Sequence, residues 1–189
     1  MVITYSVEVA LTVVDQVIVV LPQEYFEQFS TVLKELGAHK VVIGGFSRSE
    51  SVRNGLKEVD SAVREVLVHD AARPLATKAL YERVLAKLNN GAKAVVPVID
   101  INDTVKRISK GRVDMTLDRS ALGLAQTPQG FDKKLLASAH ESFGNATDDS
   151  TLVELLGYTV DVVPGESENI KITKPVDLKV AQTLMDRLK

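Results

Sequence analysis

Cysteine is missing from all 189 residues. That excludes disulfides and thiolate metal sites, and it fits a reducing compartment. An excess of charge of either sign is missing too: 23 Lys and Arg stand against 25 Asp and Glu, a formal net charge of −2. The chain therefore has no general electrostatic grip on nucleic acid or on an anionic membrane, and an anionic ligand has to be held by a few placed cations. The longest aliphatic run, Val17-Ile18-Val19-Val20-Leu21, is far too short to span a bilayer. No basic stretch followed by an apolar one opens the sequence, so no secretion signal is read and a soluble, cytoplasmic protein is expected. Repeats, low-complexity tracts and linkers are absent, which makes residues 1–189 a single domain. What remains is 45% apolar and 25% charged residues, a globular composition with enough material for a core.

One stretch organises the rest. Val66-Leu67-Val68 reads as a short strand buried on both faces, and it runs directly into His69-Asp70-Ala71-Ala72-Arg73-Pro74. Around it, apolar spacing predicts helices over 4–14, 23–36, 47–59 and 77–89, with strands at 17–21, 40–43, 66–68 and 93–98. Strand and helix alternate with short connections, the pattern of βαβ units. The fold class expected is α/β, a Rossmann-like three-layer sandwich around a mostly parallel twisted sheet. The alternation breaks between about 101 and 120, where 103–108 and 113–118 each alternate polar and apolar around Ser109-Lys110-Gly111. This reads as a β-arm, either packed on its own domain or leaning on a second subunit, since an isolated hairpin is only marginally stable. Residues 122–126 form a further short element, Thr127-Pro128-Gln129-Gly130 a loop, and 133–142 and 150–156 helices. Strands are expected at 160–163 and 169–173, and a last helix over 174–189 turns Val176, Leu178, Val180, Ala181, Leu184 and Leu188 inward.

Ligands of open α/β sheets collect beyond the carboxyl ends of strands. An Asp there can hold a divalent cation, alanines let a ligand approach the backbone, and Arg73 offers a planar fork to an anion. The plainer alternative is that Asp70 caps a turn and Arg73 is solvated. Gly44-Gly45 ends a strand where a flat base can reach the main chain, with Ser51 on the next helix as a donor. Lys171 lies between Ile170 and Ile172; it either meets an anionic partner or points into solvent from an edge strand. Thr147-Asp148-Asp149 suits a helix start, and the two acids serve as caps or as metal ligands. His69 lacks a carboxylate partner and is not read as a base. No Ser-His-Asp arrangement or His-rich metal spacing is present. The chemistry suggested is electrostatic.

The order Gly44-Gly45-x-x-Arg48-x-x-Ser51-Val52, then Val68-His69-Asp70-Ala71-Ala72-Arg73-Pro74, resembles the 2-C-methyl-D-erythritol 4-phosphate cytidylyltransferases. So do Asp103-Thr104-Val105-Lys106, Asp118-Arg119, Thr127-Pro128-Gln129, Thr147-Asp148-Asp149 and Asn169-Ile170-Lys171-Ile172-Thr173. The resemblance implies a homodimeric enzyme of non-mevalonate isoprenoid biosynthesis that joins CTP and methylerythritol phosphate, with Mg²⁺, and releases pyrophosphate. It implies that Gly45, Phe46, Ser51 and Ala71 meet the nucleotide, with Phe46 where a polar residue can stand in relatives. Asp70 is implied to lie near Mg²⁺ and the ribose, Arg73 near the substrate, and Lys171 and Thr147 on phosphate or polyol. Lys171, Asp70 and Arg73 are implied by the resemblance to form the catalytic set. Thr104, Arg119 and Thr127 are implied to arrive from the partner's arm. The alternatives are a cytidylyltransferase for another polyol phosphate such as ribitol 5-phosphate, and a non-catalytic nucleotide-binding dimer.

Members of that family open with a strand and a small-residue loop, typically Ala-Ala-Gly-x-Gly-x-Arg followed by Pro-Lys, which grips the triphosphate. The sequence contains no such pattern. The resemblance leads us to expect that unit, on the order of 30 residues, ahead of the sequence at hand. A protein that truly began at Met1 is expected to bind CTP weakly and to turn over negligibly, with a strand edge left unpaired.

Overall fold

The computed structural model describes residues 1–187. In chain order it contains α1 (Val2–Leu11), β1 (Ile18–Leu21), α2 (Gln23–Glu35), β2 (Lys40–Ile43), α3 (Arg48–Lys57), β3 (Glu65–Val68), α4 (Lys78–Asn89) and β4 (Ala94–Asp100). There follow β5 (Lys106–Ser109), β6 (Arg112–Thr116), β7 (Gly123–Ala125), β8 (Gln129–Asp132), α5 (Lys133–Phe143), α6 (Asp149–Leu155), β9 (Asp161–Pro164) and α7 (Pro175–Arg187). The helix starts are set by side chains that accept orphan amides: Ser47 from Glu50, Thr77 from Leu80, Asp132 from Leu135 and Asp148 from Thr151. Gly37, at φ +115°, ends the second helix in a conformation that other residues resist.

The sheet departs from expectation. β1 and β2 pair in parallel, and β9 is parallel to β4. The larger sheet, however, has the order β3-β8-β4-β7, and β8 runs antiparallel to both of its neighbours, as β7 does to β4. The mostly parallel sheet is thus corrected to a mostly antiparallel one. The cause is β8 itself: Pro128 and Gly130 signal a loop, yet this stretch threads between two strands that would otherwise be adjacent. Gly130 suits that place because a Cβ there would stand 2.5 Å from Val84 and 2.8 Å from Leu88 on α4.

Alternation along the strands lays out the layers. Val66, Ala94 and Phe131 enter one cluster with Leu136 of α5 and Leu152 of α6. Val95 and Val163 face the other side, against Val84 and Leu88 of α4. A separate cluster joins α1, β1, α2 and β2 through Val7, Val19, Leu33 and Val41. Between β1 and β3 lies a cavity of about 1050 Å³, bordered by Val19, Val66, Val7 and Val52. Among the described residues, neither β1 nor β3 has a strand on that side.

The arm is a hairpin in a sheet of its own, β5 with β6, and every residue of both strands is exposed. Residues 169–173 form no strand, and on α7 only Ala181 is buried while Val176, Leu178 and Val180 are exposed. Leu188 lies outside the described residues.

Candidate active site

Asp70, just beyond β3, is the centre of the site. Its Oδ2 accepts from Lys171 Nζ at 2.7 Å and its Oδ1 from Arg48 Nε at 3.2 Å. Burial on its own would raise the Asp70 pKa, but the hydrogen bond from Lys171 and the charge of Arg48 outweigh it and hold the carboxylate below its ordinary range. Burial opposes the charge of Arg48 as well; Asp149 and then Asp70 reverse that and keep the guanidinium firmly protonated. Lys171 therefore has its anionic partner, although it reaches it from an irregular segment. That segment is tied down where Ile172 N donates to Ala72 O at 2.8 Å.

Thr127 enters from a dislocation in the sheet. Between Ala125 and Gly130 the chain advances five residues, while the facing β4 advances three, from Val98 back to Val95. The extra residues leave the ladder, as in a bulge, and turn Thr127 toward β3. Its Oγ1 accepts from Asp70 N at 3.0 Å and lies 3.0 Å from His69 Nδ1. His69 Nε2 in turn lies 3.1 Å from Arg73 O. A carbonyl only accepts, so Nε2 carries the proton, Nδ1 accepts from the Thr127 hydroxyl, and every group in the row is satisfied. Burial lowers the His69 pKa to about 4, which keeps the ring neutral.

Arg73 is engaged with the main chain: NH1 donates to Asn169 O at 2.8 Å and NH2 to Ala125 O at 3.3 Å. Buried Asn169 donates to Thr127 O and Gln126 Oε1 at 3.0 and 3.3 Å. The guanidinium thus clasps the two segments that deliver Thr127 and Lys171.

At the end of β2, Gly45 N donates to Ser51 Oγ at 3.1 Å and Phe46 N to Glu50 Oε2 at 2.9 Å. The Phe46 side chain is fully exposed. Ala71 is half-buried beside Asp70, and Thr147 is exposed one residue before the Asp148 cap. Thr104 and Arg119 lie on the exposed arm, where Arg119 donates to Asn102 O. Among the described residues neither bonds to the Asp70 cluster. Thr127, expected with them from a partner's arm, is instead enclosed in its own chain's site.

The sequence assigns no role to Arg48, His140 or Gln129, and none beyond cap or metal ligand to Asp149. Arg48 and Gln129 stand in the motifs without a role, and Asp149 reads with Asp148 as a cap or a metal ligand. In fact Asp148 is saturated by Thr151, Ser150 and Gln129, and Asp149 is fully buried against Arg48 and His140. Neither acid is left for a metal. No group of three or more His, Cys, Asp or Glu able to hold a metal occurs among the described residues, so a cation here would rest on Asp70 and on ligand oxygens. That donor set fits Mg²⁺, which keeps its waters and takes one or two carboxylates with substrate phosphates.

One carboxylate at a strand's carboxyl end, closed on by two cations in an α/β fold, suits a phosphate-bearing ligand, and the proteins this chain is similar to are nucleotidyltransferases. The family model described as IspD, 2-C-methyl-D-erythritol 4-phosphate cytidylyltransferase, matches residues 1–187. The enzyme of that name from Nocardia farcinica is 45% identical over 179 residues, covering 94% of this chain and 77% of that protein. Among solved structures, the 4-diphosphocytidyl-2C-methyl-D-erythritol synthase of Anaerococcus prevotii aligns with a TM-score of 0.89 at 33% identity, over 98% of this chain and 86% of that one. The Thermus thermophilus cytidylyltransferase gives 0.86 at 34%, over 98% and 89%. This chain belongs to the 2-C-methyl-D-erythritol 4-phosphate cytidylyltransferase family.

Proposed function

We propose that the protein transfers a cytidylyl group from CTP to 2-C-methyl-D-erythritol 4-phosphate, giving 4-diphosphocytidyl-2-C-methyl-D-erythritol and pyrophosphate. The observation that carries the mechanism is the placement of Asp70 between Lys171 and Arg48 at 2.7 and 3.2 Å. A phosphate oxygen of the polyol attacks the α-phosphorus in line, a new P–O bond forms, and the bond to pyrophosphate breaks. No residue has to become covalently attached, so positioning and charge stabilisation do the work.

In this reading Lys171 leaves Asp70 for phosphate oxygens, and its ammonium offsets charge building on the α-phosphoryl group. Gly45, Phe46 and Ser51 receive the cytosine, Ala71 lets the ribose approach, and Thr147 holds phosphate or polyol. Arg73 acts near the substrate through the segments it clasps. Asp70 and the phosphate oxygens would hold Mg²⁺, whose charge, when bound, would offset repulsion between the two anions and favour departure of pyrophosphate.

A homodimer belongs to the same reading, with Thr104 and Arg119 of one arm reaching the partner's cleft. It is supported by the exposed Ile108, Val113 and Met115 on a hairpin that, among the described residues, pairs only with itself. A cytoplasmic location accords with the absence of cysteine, and among the described residues no helix is long and apolar enough to cross a membrane.

The test is pyrophosphate release with CTP, Mg²⁺ and methylerythritol phosphate, with ribitol 5-phosphate in parallel. Release with methylerythritol phosphate alone is expected. Release with ribitol 5-phosphate instead would reassign the acceptor.

A further inference from the structure

Behind Asp70 and Lys171 lies a second charge pair that the proposed reaction does not use. Asp149, the first residue of α6, is wholly enclosed. Its Oδ1 accepts from His140 Nε2 at 2.9 Å, and its Oδ2 lies 2.8 Å from Arg48 NH1. His140 is buried on α5, and its Nδ1 meets no partner among the described residues. A carboxylate only accepts, so Nε2 bears the proton. The same guanidinium turns its Nε to Asp70 Oδ1. One rigid plane thus spans two carboxylates, one enclosed and one opening on the cleft.

We propose that Asp149, braced by His140, is a positioning residue that fixes the Arg48 plane and, through it, the direction in which the second oxygen of Asp70 faces the ligand. Paired with Asp149, NH1 is committed to the buried side, and the plane so fixed presents Nε to Asp70 Oδ1. Asp70 Oδ2 is then left to Lys171, whose side chain is 42% exposed and can be drawn off by a phosphate. Without the Asp149 charge the fork can close on both oxygens of Asp70, the geometry that Arg and carboxylate favour, and the carboxylate is withdrawn from the ligand. The inference rests on the proposed meeting of Asp70 with the Mg²⁺–nucleotide complex.

CTP binding is measured by calorimetry with Mg²⁺ and with EDTA, on wild type, Asp149→Asn, Arg48→Lys and Asp70→Asn, with melting temperatures alongside. Asp149→Asn is expected to weaken Mg²⁺–CTP binding about tenfold or more, with little change in EDTA. Arg48→Lys keeps a cation beside Asp149 but cannot span both acids. It is expected to show the same Mg²⁺-dependent loss at a near-native melting temperature, and it carries the test if Asp149→Asn does not fold. Wild-type binding by both variants, or losses equal with and without Mg²⁺, overturns the proposal. If Asp70→Asn leaves the Mg²⁺ dependence intact, the role given to Asp70 fails instead.

Discussion

Thr127 and Asp70 stand 57 positions apart in sequence and meet at 3.0 Å, hydroxyl oxygen to amide nitrogen. The contact joins the sheet's dislocation to the strand that carries the central carboxylate. It also completes a row in which His69 accepts from the same hydroxyl and donates to Arg73 O. Thr127→Val removes the donor and the acceptor at once and leaves His69 Nδ1 and the Asp70 amide without partners. A loss of about 1–3 kcal/mol is expected in urea denaturation, with Thr127→Ser retaining most of the stability. Equal stability of the valine variant would remove Thr127 from this role.

His69 makes stability depend on pH. Its pKa is lowered from 6.5 to about 4 by burial, so the folded state resists protonation more than the unfolded state does. Its contribution is complete above pH 6.5 and is lost as pH falls toward 4. The full effect is at most about 3 kcal/mol. Denaturation curves at pH 7.5, 5.5 and 4 should show the decline, and His69→Gln should flatten it. A variant declining as steeply as wild type would assign the effect elsewhere.

Lys171→Ala should lower turnover by about 10²–10³. The Lys171 end of its pair with Asp70 is open to solvent and Arg48 remains beside the carboxylate, so the melting temperature should fall only modestly. A variant that keeps most of its turnover would show that Lys171 only neutralises Asp70.

Gly130→Ala tests the strand that the sequence concealed. The added methyl would meet Val84 Cγ1 at 2.5 Å and Leu67 Cδ2 at 3.1 Å, an overpacking expected to cost about 1–3 kcal/mol. Thermal melts report it; a neutral result would mean that α4 moves aside freely.

Local pattern made most elements legible. The helical spacing of Phe26, Phe29 and Leu33, the aliphatic runs at 18–21 and 40–43, and the alternation in the arm all produced the elements they predict. What misled was Thr127-Pro128-Gln129-Gly130, where turn-forming residues conceal a buried strand, because Gly130 answers to a neighbouring helix and not to a turn. The pairing Ile170 and Ile172 read as a strand, but Asn169 and Ile172 spend their hydrogen bonds on loops. Asp70 and Gly45 are legible as a charge and a glycine at strand ends, and Lys171 as a lone charge between two isoleucines. Asp149 and His140 are not, since nothing local marks a helix-start acid as one destined for burial against Arg48 from another part of the chain.

Among the described residues β2 is paired along one edge alone, and this has a consequence for how the molecule comes apart. The first two helices and the first two strands share one cluster, while the larger sheet packs its own. The smaller cluster, which carries that open edge, should loosen first as a partial unfolding unit. In native-state hydrogen exchange, amides of β2 should lose protection at lower denaturant than those of β4, whose strand is held on both edges. Because Arg48 lies on α3, which touches β1 and β2, loosening of the smaller unit would reach Asp70 before the larger sheet had begun to yield.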